Sequence, residues 1–166
     1  MITLLTSRHL YIQYDGRAGE ALVKFGAGLS GYSRFALACA LSASSDPGAV
    51  LIGCNVTHTQ GPAGDEVLMV FHRPGADVVE LVNGTHPLPL LALRNFTRLS
   101  LPVGGMQGFT FELAVNKSLA YVNEAGATVV YAGTHLLDVF NGNTNNVTVA
   151  IDVAETQVIR TPPQPW

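Results

Sequence analysis

Five histidines, His9, His58, His72, His86 and His135, are the side chains of this sequence best suited to acid–base or metal chemistry near neutral pH. No two stand as His-x-x-x-His, the spacing that puts two imidazoles on one helix face. Each is read as a surface or turn residue. Gly26-Ala27-Gly28-Leu29-Ser30-Gly31 has the look of a phosphate loop. It lacks both the Lys-Ser/Thr that contacts phosphate and metal and the βαβ setting of a dinucleotide site. Nor does it have the spacing of a nucleophile elbow. Asp65 and Glu66 are adjacent, and adjacent strand residues point to opposite faces, so the two cannot work on one bond. The remaining carboxylates, from Asp15 to Glu155, are spread singly through turns and strands. No two of them stand where an acid and a base could share one bond. The sequence therefore yields no catalytic residue, no metal ligand and no cofactor site.

The elements that carry these residues are strands. Alternation of apolar and polar residues marks Phe35, Leu37, Cys39 and Leu41, then Val50, Ile52, Cys54 and Val56, then Val67, Met69 and Phe71. It returns at Phe109, Phe111, Leu113 and Val115, and at Val147, Val149 and Ile151. Period two places one side of each strand inward. Turn formers separate the runs: Asp46-Pro47-Gly48, Gly61-Pro62, Arg73-Pro74-Gly75, Asn83-Gly84, Pro102-Val103-Gly104-Gly105 and Asn141-Gly142. No amphipathic helix of convincing length appears. Short strands with regular turns predict an all-β fold, an antiparallel two-sheet sandwich of the fibronectin type III or immunoglobulin kind. The expected organisation is an N-terminal extension and entry segment over 1–32, the sandwich over 33–153 and an extended tail over 154–166.

Cys39 and Cys54 lie symmetrically about the Asp46-Pro47 turn. Folding the first two strands around that turn sets them opposite each other, both on the apolar parity. Directly opposed residues of an antiparallel pair have Cα atoms about 4.5–5.5 Å apart, within disulfide range. Two buried free thiols are the alternative, since cysteine is a common core residue. The compartment bears on the choice. Asn-x-Ser/Thr sequons occur at Asn55, Asn83, Asn95, Asn116 and Asn146. With nine asparagines and 21 serines and threonines in 166 residues, chance gives about one. Asn55 and Asn146 neighbour inward-facing residues and are expected to point out, where a glycan fits. The excess predicts a secreted, glycosylated protein, and an oxidising compartment favours the disulfide.

Composition sets further bounds. Charged residues are 13% and hydrophobic residues 48% of the chain, with net charge −3. That is a folded domain rather than a disordered chain, and one without the basic footprint for nucleic acid or an anionic membrane. No apolar run approaches the roughly 18 residues of a membrane helix. The opening residues lack the basic flank of a secretion signal, so a secreted protein is expected to have its signal outside this chain.

Several segments then resemble, in order, the fibronectin type III-like domain that closes many family-3 glycoside hydrolases. Ala63-Gly64-Asp65-Glu66-Val67 is similar to its opening strand. Leu93-Arg94-Asn95-Phe96-Thr97 through Pro102-Val103-Gly104 resembles its leucine–x–glycine–phenylalanine strand and following turn, with Asn95 where the family has glycine. Val122-Asn123-Glu124-Ala125-Gly126 followed by Ala132–Val139 is similar to its last hairpin. Phe25–Phe35 resembles the segment entering the domain, with Ala27 in place of an aromatic residue and Gly31 splitting a leucine–serine–tyrosine run. Tyr11–Gly16 resembles the preceding stretch of the β-xylosidase branch. The resemblance spans about residues 10–152. The family's nucleophile and acid/base carboxylates belong to upstream domains that this chain lacks, so no catalytic residue is carried over.

What the resemblance implies is a non-catalytic accessory module of a secreted family-3, β-xylosidase-like protein. Its expected partners are other domains or subunits of such a protein, or copies of itself, together with N-linked glycans. Neither nucleic acid nor a membrane span is expected. A stand-alone extracellular structural or adhesion subunit is the alternative, assembling through edge strands or termini. A carbohydrate-binding module is a lesser one, because the tyrosines are scattered and Trp166 stands in the tail. The apolar residues of the ends, Ile2, Leu4, Leu5, Val158, Ile159 and Trp166, are expected to dock on neighbouring protein.

Overall fold

The computed structural model describes residues 32–82, 85–141 and 146–162. The extension up to residue 31, with His9 and the glycine-rich Gly26–Gly31, lies outside them, as do Asn83, Gly84, Gly142 and Trp166.

Ten strands and two short helices make up the described residues. Strands β1 (Arg34–Ser42), β2 (Ala49–Gln60) and β5 (Met106–Ala114) form one antiparallel sheet in the order β1-β2-β5. Strands β3 (Gly64–Pro74), β4 (Ala92–Leu101), β8 (Gly133–Phe140) and β9 (Asn146–Val153) form the other, in the order β4-β3-β8-β9. Three strands packed on four, with chain crossings at β2–β3, β4–β5 and before β8, is the fibronectin-like sandwich the strand pattern predicts. A third, small sheet joins β6 (Tyr121–Val122), β7 (Thr128–Val130) and β10 (Gln157–Arg160) in the order β10-β7-β6. The segment after residue 154, expected as an extended tail, thus contributes a strand. Helix α1 (Ala76–Val82) follows β3, and the single-turn α2 (Val115–Ser118) follows β5.

Local chemistry explains the first hairpin. Asp46 Oδ1 accepts the backbone N–H of Gly48 at 2.7 Å, Ser44 Oγ accepts that of Asp46 at 3.1 Å, and Ala49 N donates to Asp46 O at 3.1 Å. Such Asx and Ser turns fold the backbone on itself. The hairpin registers Leu37 on Val56, Cys39 on Cys54 and Leu41 on Ile52.

The core lies between the large sheets. Phe35, Ile52, Cys54, Val56, Phe111 and Leu113 from one meet Leu68, Val70, Leu99, Leu101, Leu137, Val139 and Val149 from the other. One phase differs from the sequence reading. In β3 the residues on the core side are Leu68, Val70 and His72, whereas Val67 and Phe71 are half-buried on the other parity, with Met69 buried between them outside the core cluster. Apolar residues occupy both parities of this strand, so period two alone cannot choose a face.

Two glycines are required by the backbone. Gly61, between β2 and β3, has φ +93°, and a Cβ there would sit 2.1 Å from the carbonyl oxygen of Tyr32. Gly133 opens β8 with φ +122°, and its Cβ would fall 2.8 Å from Val78 Cγ2 of α1. Both the conformation and the close approach exclude other side chains without strain.

Candidate functional site

Three of the five histidines are buried: His58, His72 at 1% exposure and His135 at 0%. This corrects their reading as surface or turn residues. The physical reason is that each finds partners for its ring nitrogens, which removes the cost of burying a neutral imidazole.

His72 and His135 meet because β3 and β8 are neighbours and both residues point inward. Their rings stack at 5.1 Å between centroids and 22° between planes. His72 Nε2 and His135 Nδ1 are 2.9 Å apart, and His135 Nε2 is 2.9 Å from the carbonyl oxygen of Tyr131. A carbonyl only accepts, so His135 carries its proton on Nε2 and leaves Nδ1 as an acceptor. His72 Nε2–H then donates to His135. Its own Nδ1 is left to accept from Arg94 Nη2 at 3.3 Å. The partners thus impose one direction: Arg94 donates to His72, His72 to His135, and His135 to Tyr131 O.

Arg94 reaches this position through a bulge. Val70 pairs with Asn95 but Phe71 with Leu93, so Arg94 is the extra residue of β4. Its Nη2 also donates to Ala120 O at 3.1 Å. Its Nε is buried without a partner, a cost of order 1–3 kcal/mol. Tyr121 of β6 lies over the pair, its ring 5.1 Å from that of His72 and its hydroxyl 3.3 Å from His72 Nε2. Tyr131 stands next to it at 6.3 Å, and Tyr131 Oη is 2.6 Å from His86 Nε2. Tyrosines that look scattered in sequence are gathered here by the small sheet.

The electrostatics follow from burial next to a cation. Desolvation, then the Arg94 charge, then His135 hold the His72 pKa down to about 3. Burial also lowers that of His135, against smaller opposing effects of its bond to Tyr131 and of Asp77. Burial raises the Tyr121 and Tyr131 hydroxyls and lowers Arg94. Both imidazoles of the pair are therefore neutral. A general base needs a free lone pair and a pKa near the working pH. The lone pair of His72 is already taken by Arg94 and that of His135 by His72. What the arrangement does is bind four separate pieces of chain, β3, bulged β4, β6 and β8, to one another.

Other polar clusters lie on the outer side of the four-stranded sheet. Arg73 Nε donates to Asp138 Oδ2 at 2.6 Å, and Thr148 Oγ1 donates to Asp138 Oδ1 at 2.6 Å. Asp65 accepts from Arg98 and, at 2.5 Å, from Ser100 Oγ. These bonds hold its carboxyl below the usual carboxylate range. Glu66 is buried on the opposite side of the strand, as their adjacency requires.

Among the residues the sequence singled out, Cys39 and Cys54 are joined by a disulfide across the β1–β2 hairpin. Asn55 follows Cys54 on the outer face of β2 and is exposed. Asn146 is exposed at the start of β9 and Asn116 is exposed on α2, where Ser118 of its sequon is buried. Asn95 is half-buried on β4, its Oδ1 accepting the N–H of Phe96 at 2.8 Å. Asn83 lies outside the described residues. The structure brings the cysteines together and distributes the sequons over separate elements. No helix among the described residues is long and apolar enough to cross a membrane.

No protein-family model matches the chain, and no curated protein sequence does. Solved structures do. β-Glucosidase 3B from Thermotoga neapolitana, solved with α-D-glucose, is 26% identical, with a TM-score of 0.71 over 93% of this chain and 20% of that one. A GH3 β-glucosidase from Bifidobacterium adolescentis is 22% identical, with a TM-score of 0.69 over 95% of this chain and 22% of that one. A β-glucosidase from Kluyveromyces marxianus, solved with glucose, is 25% identical, with a TM-score of 0.65 over 81% and 15%. The chain spans about a fifth or less of the length of these enzymes. Its sandwich is therefore similar to one domain-sized part of GH3 β-glucosidases.

Proposed function

We propose that this chain is the non-catalytic accessory sandwich of a secreted GH3-type, β-xylosidase-like protein, and that it acts by packing against other polypeptide. The observation that carries this reading is the coverage: up to 95% of the chain matches a small part of much longer β-glucosidases. The sandwich over 33–153 is the unit proposed to pack, with 1–32 as its entry segment. Exposed apolar side chains supply the means. Phe96 is 66% exposed on edge strand β4, close to Leu90 and Leu93 in sequence. Val122 and Val158, 64% and 61% exposed, lie on the small sheet. Leu93 and Phe96 pair with Phe71 and Met69 of β3, and grouped apolar surface of this kind marks contacts with protein. Five sequons and a disulfide support an extracellular location.

The test has two arms. An antibody to this sequence should detect a native polypeptide several times longer than the chain. The purified chain should turn over neither aryl-xyloside nor aryl-glucoside. A native protein no larger than this chain overturns the module reading in favour of a stand-alone subunit. Turnover that survives removal of contaminating glycosidases overturns the non-catalytic reading.

A further inference from the structure

The outer faces of the two large sheets differ. On the four-stranded sheet the outer side carries Phe96, Phe71 and the Arg73–Asp138 and Arg98–Asp65 pairs. On the three-stranded sheet the middle of the outer side carries little that projects, with Arg34, Met106 and Glu112 toward its margins. The outward residues of β1 are Ala36, Ala38 and Ala40, all exposed. Across from them on β2 stand Thr57, Asn55 and Gly53, and beyond these on β5 stand Met106, Gly108 and Thr110.

Asn55 is the polar centre of that face, flanked in register by Ala38 on one side and Gly108 on the other. A Cβ on Gly108 would lie 3.0 Å from Asn55 Oδ1, so glycine keeps the side of the amide clear. Thr57, the hydroxyl of the sequon, lies two residues along β2 and so on the same side of the strand as Asn55. Of the other described sequons, Asn95 is half-buried with its Oδ1 engaged, Asn116 is followed by a buried Ser118, and Asn146 is exposed but the hydroxyl of its Thr148 is bound to Asp138.

The geometry points to Asn55 as an N-glycan acceptor whose first sugars lie on the alanine–glycine face around it. This deepens the proposed function, since it rests on passage through a secretory compartment. In the step, Asn55 Nδ2 bonds to the anomeric carbon of an oligosaccharide carried on a lipid pyrophosphate. The bond from that carbon to the pyrophosphate oxygen breaks, and the lipid pyrophosphate leaves with the electron pair. One amide proton passes to a base of the transferase. The methyls of Ala38 and Ala40 and the bare backbone at Gly53 and Gly108 give a sugar ring a flat apolar surface. They also leave room for it that larger side chains would fill. The face is then covered by carbohydrate, and protein partners are directed to the four-stranded and small sheets.

The test uses the full chain from its native source and the same chain passed through a eukaryotic secretory host. Each is treated with a glycan-removing amidase in heavy-oxygen water, followed by peptide mass spectrometry. Conversion of Asn55 to labelled aspartate is expected, with loss of one glycan's mass in Asn55→Gln. Contacts between the first sugar and the Ala38 and Ala40 methyls are expected in nuclear Overhauser spectra. Glycans at other sequons but none at Asn55 in the host would overturn this inference alone, and no glycan at any sequon there overturns it too. A glycan at Asn55 in the host and none in native material would uphold the acceptor and overturn the secretory location. A glycan at Asn55 without sugar–methyl contacts would overturn the placement on the face.

Discussion

Acid should loosen this fold through His72 well before it reaches the carboxylates. In the unfolded chain a histidine titrates near 6.5, whereas His72 in the fold titrates at about 3. Between those values the unfolded chain binds a proton that the native state refuses. Stability contributed by the neutral imidazole is therefore fully present above pH 6.5 and is lost progressively as pH falls toward 3. Linkage over that range puts the loss at about 2 kcal/mol between pH 7.5 and pH 5 for His72 alone. His135, whose pKa burial also lowers, adds in the same direction. A domain of ordinary stability has about 5–15 kcal/mol in all, so the effect is measurable. Urea denaturation at pH 7.5, 6.5, 5.75 and 5 is the assay. At an m-value of about 2 kcal/mol per molar, the midpoint should fall by about 1 M or more. The control is His72→Gln, which is less stable at neutral pH but should lose distinctly less on acidification. Equal pH slopes for the two proteins would refute the reasoning, because the slope counts protons and is independent of the cost of the substitution itself.

Replacing Cys39 and Cys54 together by alanine should cost about 3 kcal/mol by the chain-entropy estimate for a loop of this size, read as a lower midpoint in denaturant. Leu137→Ala removes a fully buried side chain from between the sheets and should cost about 2–5 kcal/mol in the same assay. Gly133→Ala forces a Cβ into a φ of +122° and within 2.9 Å of Asp77 Oδ2. It should cost about 1–3 kcal/mol and lower the thermal midpoint, whereas alanine at Gly104, which meets nothing within 4 Å, should be penalised only for its φ of +69°.

Much of this architecture can be read from local pattern. The β1–β2 hairpin was legible because the large apolar residues of β1, and those of β2 from Ile52 on, fall on one parity and its turn carries Asp-Pro-Gly. The facing of Cys39 and Cys54 followed from that symmetry alone. Strand β3 was not, because Val67 to Phe71 is apolar at every position and the polar residues that set its phase, Glu66 and His72, are the buried ones. The histidine network was invisible for a different reason. Its members come from β3, β4, β6 and β8 and from the segments flanking β7, and they are joined only by sheet order. Arg94 enters it through a one-residue bulge that sequence period conceals. The small sheet was missed because strands of two to four residues carry no period. The continued parities Ile52, Cys54, Val56, His58 and Leu68, Val70, His72 were the signals that could have placed these two histidines inside.

The order β1-β2-β5 and β4-β3-β8-β9 also governs how the chain reaches its fold. The hairpins β1–β2, β3–β4 and β8–β9 join neighbours in sequence, yet the strands that complete each sheet are remote. Ala49 pairs with Ala114, and His72 pairs with Leu137. Loops of that length must close before either pairing returns any energy, which makes such topologies slow. During synthesis β2 and β3 each wait, with one edge open, for a partner much further along the chain. The disulfide hairpin needs no such partner and can oxidise on its own. The cover that Tyr121 gives the histidines is completed at the far end of the fold, when β10 pairs beside β7. Folding intermediates should accordingly be rich in hairpins and poor in histidine protection, with the imidazoles still titrating near 6.5 until the last sheet closes.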